Sequence, residues 1–384
     1  MTPTYDVVIV GGGPSGVAFA KTLISCNANA KVLLLERYEH PREKICGDGL
    51  SPISLELIAQ IFPELLDVIP AKSIARNFTV WYPNGACLSR TTDELAVVPR
   101  QVLDGALWDT LRGTSIELMQ GVRVTDLLIE HSRVVGVRAC RKGKRIDIQA
   151  ALVVGADGST SVVRRKTSTG RKETPGMAIR QYVRGIPHTD DRLTAFLDPH
   201  NMGYFWIFPI WRADEWWANI GYFQFGNKRV NISERFRSYC ESPLVKRYLG
   251  EAKGVDKPKG FPLNLPTMRF NRIVRTRPLA GPGYLLIGDA AGLINPNTGE
   301  GISMALYSGK CAAELYAQSL SEQTIHRRYE EEMLCFANSS FAVLKTTLAV
   351  RLPCILPRPL SWHFMKWIPK LYPQKRHLRQ PHLE

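Results

Sequence analysis

The feature that most constrains this chain is its opening, YDVVIVGGGPSG from Tyr5 to Gly16, where a run of apolar β-formers meets four glycines in six residues. The run Val7-Val8-Ile9-Val10 reads as a buried parallel strand. Gly11, Gly13 and Gly16 then give the spacing G-x-G-x-x-G. Gly11 permits a tight turn, Gly13 lets backbone approach a pyrophosphate, and Gly16 lets a following helix, Val17 to Ser25, lie close to the strand. Pro14 and Ser15 lie just before that helix, whose free N–H groups and positive dipole end favour an anion. A second strand, Lys31 to Leu35, ends in Glu36, twenty residues past Gly16, where a carboxylate suits a ribose hydroxyl. The unit predicts a βαβ fold around a dinucleotide and leaves open which one.

The chain has 384 residues, enough for two lobes with substantial cores. The first apolar run is the nucleotide strand itself, with no basic segment before it, so no signal peptide is expected. No stretch of about 18 apolar residues suggests a membrane-spanning helix. The eight cysteines are scattered without a C-x-x-C pair, which predicts neither a metal site nor a disulfide framework and makes a reducing cytoplasm the default. The net charge of +15 is partly local: eight Lys or Arg lie beyond residue 340 against Glu384 alone. No nucleic-acid-binding motif accompanies the charge. Between residues 341 and 372 basic residues alternate with Trp362, Phe364, Met365, Trp367, Ile368 and Leu371. This pattern predicts peripheral contact with an anionic membrane surface, or alternatively a helical lid.

Along the chain, a helix is expected from Ile53 to Leu66. Alternation over 76–92 predicts strands around a Pro83-Asn84-Gly85 turn. An amphipathic helix follows, with Val102, Leu103, Ala106 and Leu107 at helical spacing. Segments near Val122–Ile129, Val134–Ala139 and Arg145–Ile148 suggest a meander, and ALVVGADG another buried strand. Residues 176–268 read mostly as β, interrupted by one helix from about Ser233 to Tyr248. The expected organisation is α/β: a discontinuous Rossmann-like domain (1–75, 93–175 and 269–328), an inserted β-rich substrate domain (76–92 and 176–268) and a C-terminal helical segment (329–384).

Three stretches carry the chemistry. The first is the glycine fingerprint with Glu36. The second is Gly155-Ala156-Asp157-Gly158, with Ser161 and Arg164. The third is Gly288-Asp289-Ala290-Ala291 followed by Gly299-Glu300-Gly301. In this order they resemble the FAD-dependent oxidoreductases of the p-hydroxybenzoate hydroxylase fold, over roughly residues 5 to 315. Arg100, with Asp104 and Leu107, matches that family's R-x-x-x-D-x-x-L helix start, whose Arg typically contacts FAD. The resemblance implies noncovalent FAD held by Gly11, Gly13, Pro14, Ser15, Gly16, Glu36, Arg100, Asp157, Asp289, Gly299 and Gly301. Asp289, at a strand end, suits ribityl hydroxyls. The helix after Gly301 would point its N-terminus at the flavin. There is no second G-x-G-x-x-G in the sequence, so the expected reductant is a visiting NAD(P)H or a protein electron donor.

Two further stretches resemble the geranylgeranyl reductase branch of that fold: KICGDGLSP, Lys44 to Pro52, and YFWIFP, Tyr204 to Pro209, with Gly221 twelve residues later. On a strand Tyr204, Trp206 and Phe208 share one face. An aromatic wall of this kind suits an isoprenoid chain, although aromatic strand faces are commonly core. Cys46 reads either as a small loop residue or as a group beside the flavin. The resemblance implies reduction of prenyl C=C bonds by reduced FAD, with Cys46, Tyr204, Trp206 and Phe208 at the reacting end. The alternatives are a flavin monooxygenase or halogenase of the same fold, with Lys72 a candidate halogenase-type lysine, and an FAD-binding protein without turnover.

Overall fold

The computed structural model describes residues 4–68, 74–168, 174–187, 192–198, 203–226, 231–269, 272–274, 278–296 and 298–340. Lys72 and the basic segment 341–372 lie outside them. The chain enters as β1 (Tyr5–Val10), turns into α1 (Pro14–Cys26) and returns as β2 (Val32–Glu36). β1 and β2 pair in parallel, Val7 opposite Val32, so the βαβ unit is present as read. After β3 (Gly49–Leu50), α2 runs only from Pro52 to Ile61, shorter than expected. Ser51 caps it by accepting the Ser54 N–H. Pro63 has no N–H to donate, and the chain continues as a 3₁₀ turn, Pro63–Val68.

β4 (Ile74–Trp81) and β5 (Cys87–Val97) form a longer hairpin than the alternation suggested, turning at Gly85 with φ +79°. α3 (Arg100–Asp109) buries Leu103, Leu107 and Trp108. Val102, expected on that face, is 47% exposed, because the helix starts at Arg100 and rotates it outward. β6 (Glu117–Gln120), β7 (Val122–Glu130), β8 (Arg133–Arg141) and β9 (Lys144–Gly155) follow, then α4 (Val162–Thr167). The last limb of the expected meander and the buried strand after it are one element, β9. The next four strands are β10 (Thr174–Arg184), β11 (Arg192–Asp198), β12 (Gly203–Arg212) and β13 (Glu215–Phe225). The single helix expected near 233–248 is two, α5 (Ile232–Glu241) and α6 (Pro243–Leu249). Pro243 starts the second, and the Ser242 side chain caps it. Short strands β14 (Lys253–Gly254), β15 (Lys259–Leu265), β16 (Thr267–Arg269), β17 (Arg272–Val274), β18 (Ala280–Gly281) and β19 (Tyr284–Leu286) lead to α7 (Ile302–Ala317) and α8 (Glu322–Ser340).

Two large sheets result. In the first, the order is β18-β19-β9-β1-β2-β6, with β8 on β9 and β7 on β8. Its centre is parallel and fully buried, Val7 to Ile9 and Leu33 to Leu34 being inaccessible, as expected of a sheet covered on both faces. α1 and α7 pack closely against each other: a Cβ on Gly309 would stand 2.4 Å from the Ser15 carbonyl. α8 lies on α7, with Phe336 stacked on Tyr307 at 3.8 Å. The second sheet runs β14-β10-β13-β12-β11-β4-β5-β3, with β15 on β10. It is antiparallel except where β11 meets β4, so the 74–97 hairpin belongs to this sheet although it is remote in sequence from its neighbours.

Candidate active site

The loop after β1 forms the first wall of the site. A Cβ at Gly16 would fall 2.0 Å from the Gly11 carbonyl, so α1 lies against the turn only because that side chain is missing. A Cβ at Gly13 would meet nothing nearer than Arg42 Nη2 at 3.5 Å. Gly13 is also the N-cap of α1, and no side chain caps that end. The positive helix terminus therefore opens onto space flanked by a guanidinium. Glu36 closes the corner: its carboxylate accepts the Gly12 N–H at 2.9 Å and the Tyr38 N–H at 3.0 Å. Arg42, missed in the sequence because it sits in an undistinguished charged loop, pairs with Asp104 at 3.2 Å and lies 3.6 Å from Glu36. Arg42 Nε and both ring nitrogens of His40 are buried without a hydrogen-bond partner among the described residues. His40 stacks on Trp108 at 4.6 Å; burial and the Arg42 charge hold its pKa below the ordinary value. Unpartnered donors and an open helix terminus fit the adenosine and pyrophosphate of a dinucleotide.

Arg100 is buried and gripped by Asp104 through two bonds, Nε to Oδ1 at 2.6 Å and Nη2 to Oδ2 at 2.8 Å. Burial opposes the Asp104 charge, but Arg100 and Arg42 hold its carboxyl below the usual range. The Asp in the R-x-x-x-D pattern thus serves to orient the Arg. Ser161 caps α4 by accepting the Arg164 N–H, and Asp157 backs that cap by accepting the Ser161 hydroxyl and the Val162 N–H, the latter at 2.6 Å. Arg164 donates to the Ala290 carbonyl at 3.0 Å, tying the second motif to the third. Asp289 sits in a 3₁₀ turn, Gly288–Ala291, directly after β19. A Cβ on Gly301 would approach its Oδ1 to 3.2 Å. Lys44 Nζ lies 3.9 Å from Asp289 Oδ2 and 4.1 Å over the Phe261 ring, and burial pushes its pKa down. At the start of α7 the Glu300 carboxylate accepts the Ser303 N–H at 2.9 Å and the Ser54 hydroxyl at 3.2 Å, so part of that helix terminus is already capped.

The second sheet supplies the opposite wall. Tyr204, Trp206 and Phe208 alternate along β12 onto one face, with ring centroids 5.9 and 6.1 Å apart. Trp206 is only 4% exposed and joins Phe223, Leu265 and Ile294 in a small core; its two neighbours are half-buried. Across the ladder Trp206 pairs with Gly221. A Cβ there would fall 2.1 Å from Trp206 Cζ2, so the indole lies flat over a glycine. The Tyr204 hydroxyl donates to the Thr298 carbonyl, joining this wall to the Gly299 turn.

The Cys46 loop packs on the wall. Positions for a Cβ at Gly47 lie 3.4 Å from Phe208 and 3.5 Å from Trp206. Burial pushes the Cys46 thiol up, while Arg100 and a backbone hydrogen bond from Asp48 pull the other way. Asn219 stitches loop to sheet. Its amide donates to the Cys46 carbonyl at 2.7 Å and to Asp48 Oδ2 at 2.8 Å, and it accepts the Trp206 Nε1–H at 3.1 Å. Asp48, Asn219 and Tyr182 carry no motif signal; only their convergence in space reveals them. The first sheet thus presents a nucleotide cradle and the second an aromatic wall, with the 44–50 loop between them. These features define a dinucleotide-binding α/β protein with a second, mostly antiparallel sheet beside the nucleotide sheet.

The chain belongs to the FAD binding domain family, which matches residues 4–341, and it is an FAD-dependent oxidoreductase of the geranylgeranyl reductase-like kind. It is 30% identical over 337 residues to a digeranylgeranylglycerophospholipid reductase of Methanothrix thermoacetophila, covering 82% of this chain and 78% of the relative. A menaquinone reductase of Mycolicibacterium smegmatis is 28% identical, with 82% and 77% covered. Among solved structures, a geranylgeranyl bacteriochlorophyll reductase-like protein from Thermoplasma acidophilum superposes with a TM-score of 0.74 at 19% identity, covering 99% of this chain and 94% of that one. A flavin-dependent brominase superposes with a TM-score of 0.75 at 20% identity, covering 94% and 89%. Among the described residues no helix is long and apolar enough to cross a membrane.

Proposed function

We propose that this protein reduces C=C bonds of a prenyl chain, the first sheet with its flanking helices holding FAD and the second sheet holding the lipid. The observation that carries this reading is the packing of the Cys46 loop onto the Tyr204–Trp206–Phe208 face. FAD, when bound and reduced, supplies the hydride. Gly11, Gly13, Pro14, Ser15, Gly16, Glu36 and Arg42 would hold its adenosine diphosphate end. Asp289, Lys44, Gly299 and Gly301 would hold the other end, with Arg100 between loop and cofactor and Asp157 keeping the second motif in place. The aromatic rings orient the isoprenoid and exclude water, and an isolated alkene needs both because it is a poor hydride acceptor. The Cys46 thiol, kept protonated by burial, is placed to hold a proton near the acceptor carbon. A visiting NAD(P)H or a protein donor would restore the reduced cofactor. The names of the reductase relatives support this substrate class.

The deciding experiment is anaerobic reduction of the bound flavin followed by addition of prenyl lipids, with mass spectrometry of the product. Direct reoxidation with saturated product is expected. Labelled oxygen in the product would instead favour the monooxygenase or halogenase reading, which the brominase neighbour's fold keeps in view. Reoxidation by neither would leave an FAD-binding protein without this turnover. Trp206→Ala should retain FAD while turnover falls on the order of a hundredfold, the scale of slight substrate misplacement. We further propose that residues 341–372 contact an anionic membrane surface. Flotation with anionic liposomes at low salt should be lost on deleting them, and unchanged binding would refute it.

A further inference from the structure

Asp48 is fully buried, yet neutral groups hold its carboxylate. Oδ2 accepts the Tyr182 hydroxyl and the Asn219 N–H, and Oδ1 accepts the Arg100 backbone N–H at 3.3 Å. Tyr182 and Asn219 stand opposite each other on β10 and β13. Arg100 begins α3, so the side chain joins both walls of the site. Asn219 has its two N–H groups on Asp48 and the Cys46 carbonyl and its oxygen on Trp206 Nε1. Its orientation is therefore completely specified. An ionised Asp48 accepts everything offered to it. A protonated Asp48 would bring a donor of its own into a ring of donors, so the Tyr182 hydroxyl has to turn round to accept it or a bond has to break.

We propose that ionised Asp48 is a positioning residue for turnover: through Asn219 it holds the Cys46 backbone and the Trp206 ring in place, and a single proton taken up at Asp48 releases them. The proposal rests on the reading of this face as the substrate wall. The titratable and charged groups around Asp48 are Tyr182 and Arg180 from β10, Arg100 with its partner Asp104 from α3, and Cys46, Lys44 and Arg42 from its own segment. Arg180 is drawn outward, lying 4.0 Å over the Tyr182 ring and pairing with Glu43 and with Asp256, the latter at 2.6 Å. Burial raises the Asp48 pKa from 3.8 to about 6, against the bonds from Tyr182 and Asn219 and the charges of Arg180 and Arg100. The proton is thus exchanged close to physiological pH.

The test compares FAD-loaded wild type with Asp48→Asn, which keeps the volume and removes the charge. Prenyl-driven flavin reoxidation is followed from pH 5 to 8, and Cys46 alkylation by N-ethylmaleimide is followed at pH 7.5 by peptide mass spectrometry. Wild-type turnover should fall about tenfold per pH unit below pH ~6, as one proton binds. The variant should be flat over that range and about tenfold slower at pH 8, with Cys46 labelled about tenfold faster, the scale of one lost tether. Wild-type rate, pH limb and labelling in Asp48→Asn would overturn the proposal. If the variant does not load FAD, labelling of wild-type Cys46, normalised to free cysteine, decides: it should rise below pH ~6, and no rise refutes the release. If no prenyl lipid reoxidises the wild-type flavin, the substrate reading fails, while the labelling still decides whether Asp48 holds the loop.

Discussion

Gly221 is the position at which one methyl group should separate cofactor binding from turnover. In Gly221→Ala the new Cβ would stand 2.1 Å from Trp206 Cζ2 and 2.4 Å from the Ile179 carbonyl. The carbonyl belongs to β10, whose ladder with β13 runs from Gly176 to Arg184, so it cannot yield alone. The ring has to move by more than an ångström to reach ordinary contact. Overpacking of this kind costs about 1–3 kcal/mol. Displacing the indole also breaks its bond to Asn219 and leaves buried polar atoms unpaired, about 1–3 kcal/mol more. A total of about 2–6 kcal/mol, at about 0.8 kcal/mol per degree for a chain of this size, lowers Tm by about 2–8 °C. FAD content should not change, because the nucleotide cradle belongs to the other sheet. Turnover should fall by about ten- to a hundredfold. Adding Trp206→Phe should recover part of the Tm without recovering the rate, since the smaller ring relieves the clash with the indole but leaves the Ile179 carbonyl contact and cannot reach Asn219. The assays are thermal unfolding, flavin absorbance and anaerobic reoxidation on the four proteins of the cycle. A Gly221→Ala protein with unchanged Tm and turnover would refute the argument.

Gly13→Val should abolish FAD retention through gel filtration while leaving the far-UV circular dichroism unchanged, because the space beside Arg42 would be filled and no backbone displaced. A yellow variant would contradict the placement of the pyrophosphate. The pH dependence of stability has a definite sign at Asp48. A carboxyl raised from 3.8 to about 6 contributes stability that is complete below pH 3.8 and is lost as pH rises through 6. At about 1.36 kcal/mol per pH unit, wild type should gain about 3 kcal/mol relative to Asp48→Asn between pH 8 and acid. Paired denaturation curves at pH 8 and 5 should already show about 1.4 kcal/mol of it, and a difference that stays constant with pH would exclude a buried titrating charge.

Local patterning revealed the elements whose signal lies within a few residues. The β1–α1–β2 unit follows from one apolar run and its glycines, and the shared face of Tyr204, Trp206 and Phe208 from strand alternation. β9 was harder to read because its surroundings change along its length. Residues 144–149 are half-exposed on the hairpin with β8, whereas residues 152–155 are buried between β1 and β19. One strand therefore carries two patterns and resembles two. Pro63 and Pro243 ended helices that apolar spacing alone would extend. The polar network was not visible in the sequence: Asp48 meets Tyr182 across 134 residues and Asn219 across 171. In the sequence Asp48 is an ordinary polar residue between two glycines.

The close seating of α7 on α1 sets the order in which this protein can be made. Ser15 and Gly309 touch, although almost 300 residues separate them. The glycine turn emerges from the ribosome well before Asp289 and the 299–301 turn that would complete the proposed cradle. At about 5–20 residues per second, the opening strand and helix wait about 15–60 s for α7. Until then the face of α1 that receives Gly309 has no partner, and the nascent chain has only half of a nucleotide site. Loading of the cofactor should therefore wait for the docking of α7 on α1 rather than follow formation of the glycine turn. Truncation anywhere before α7 should yield an apoprotein fragment with an exposed apolar helix.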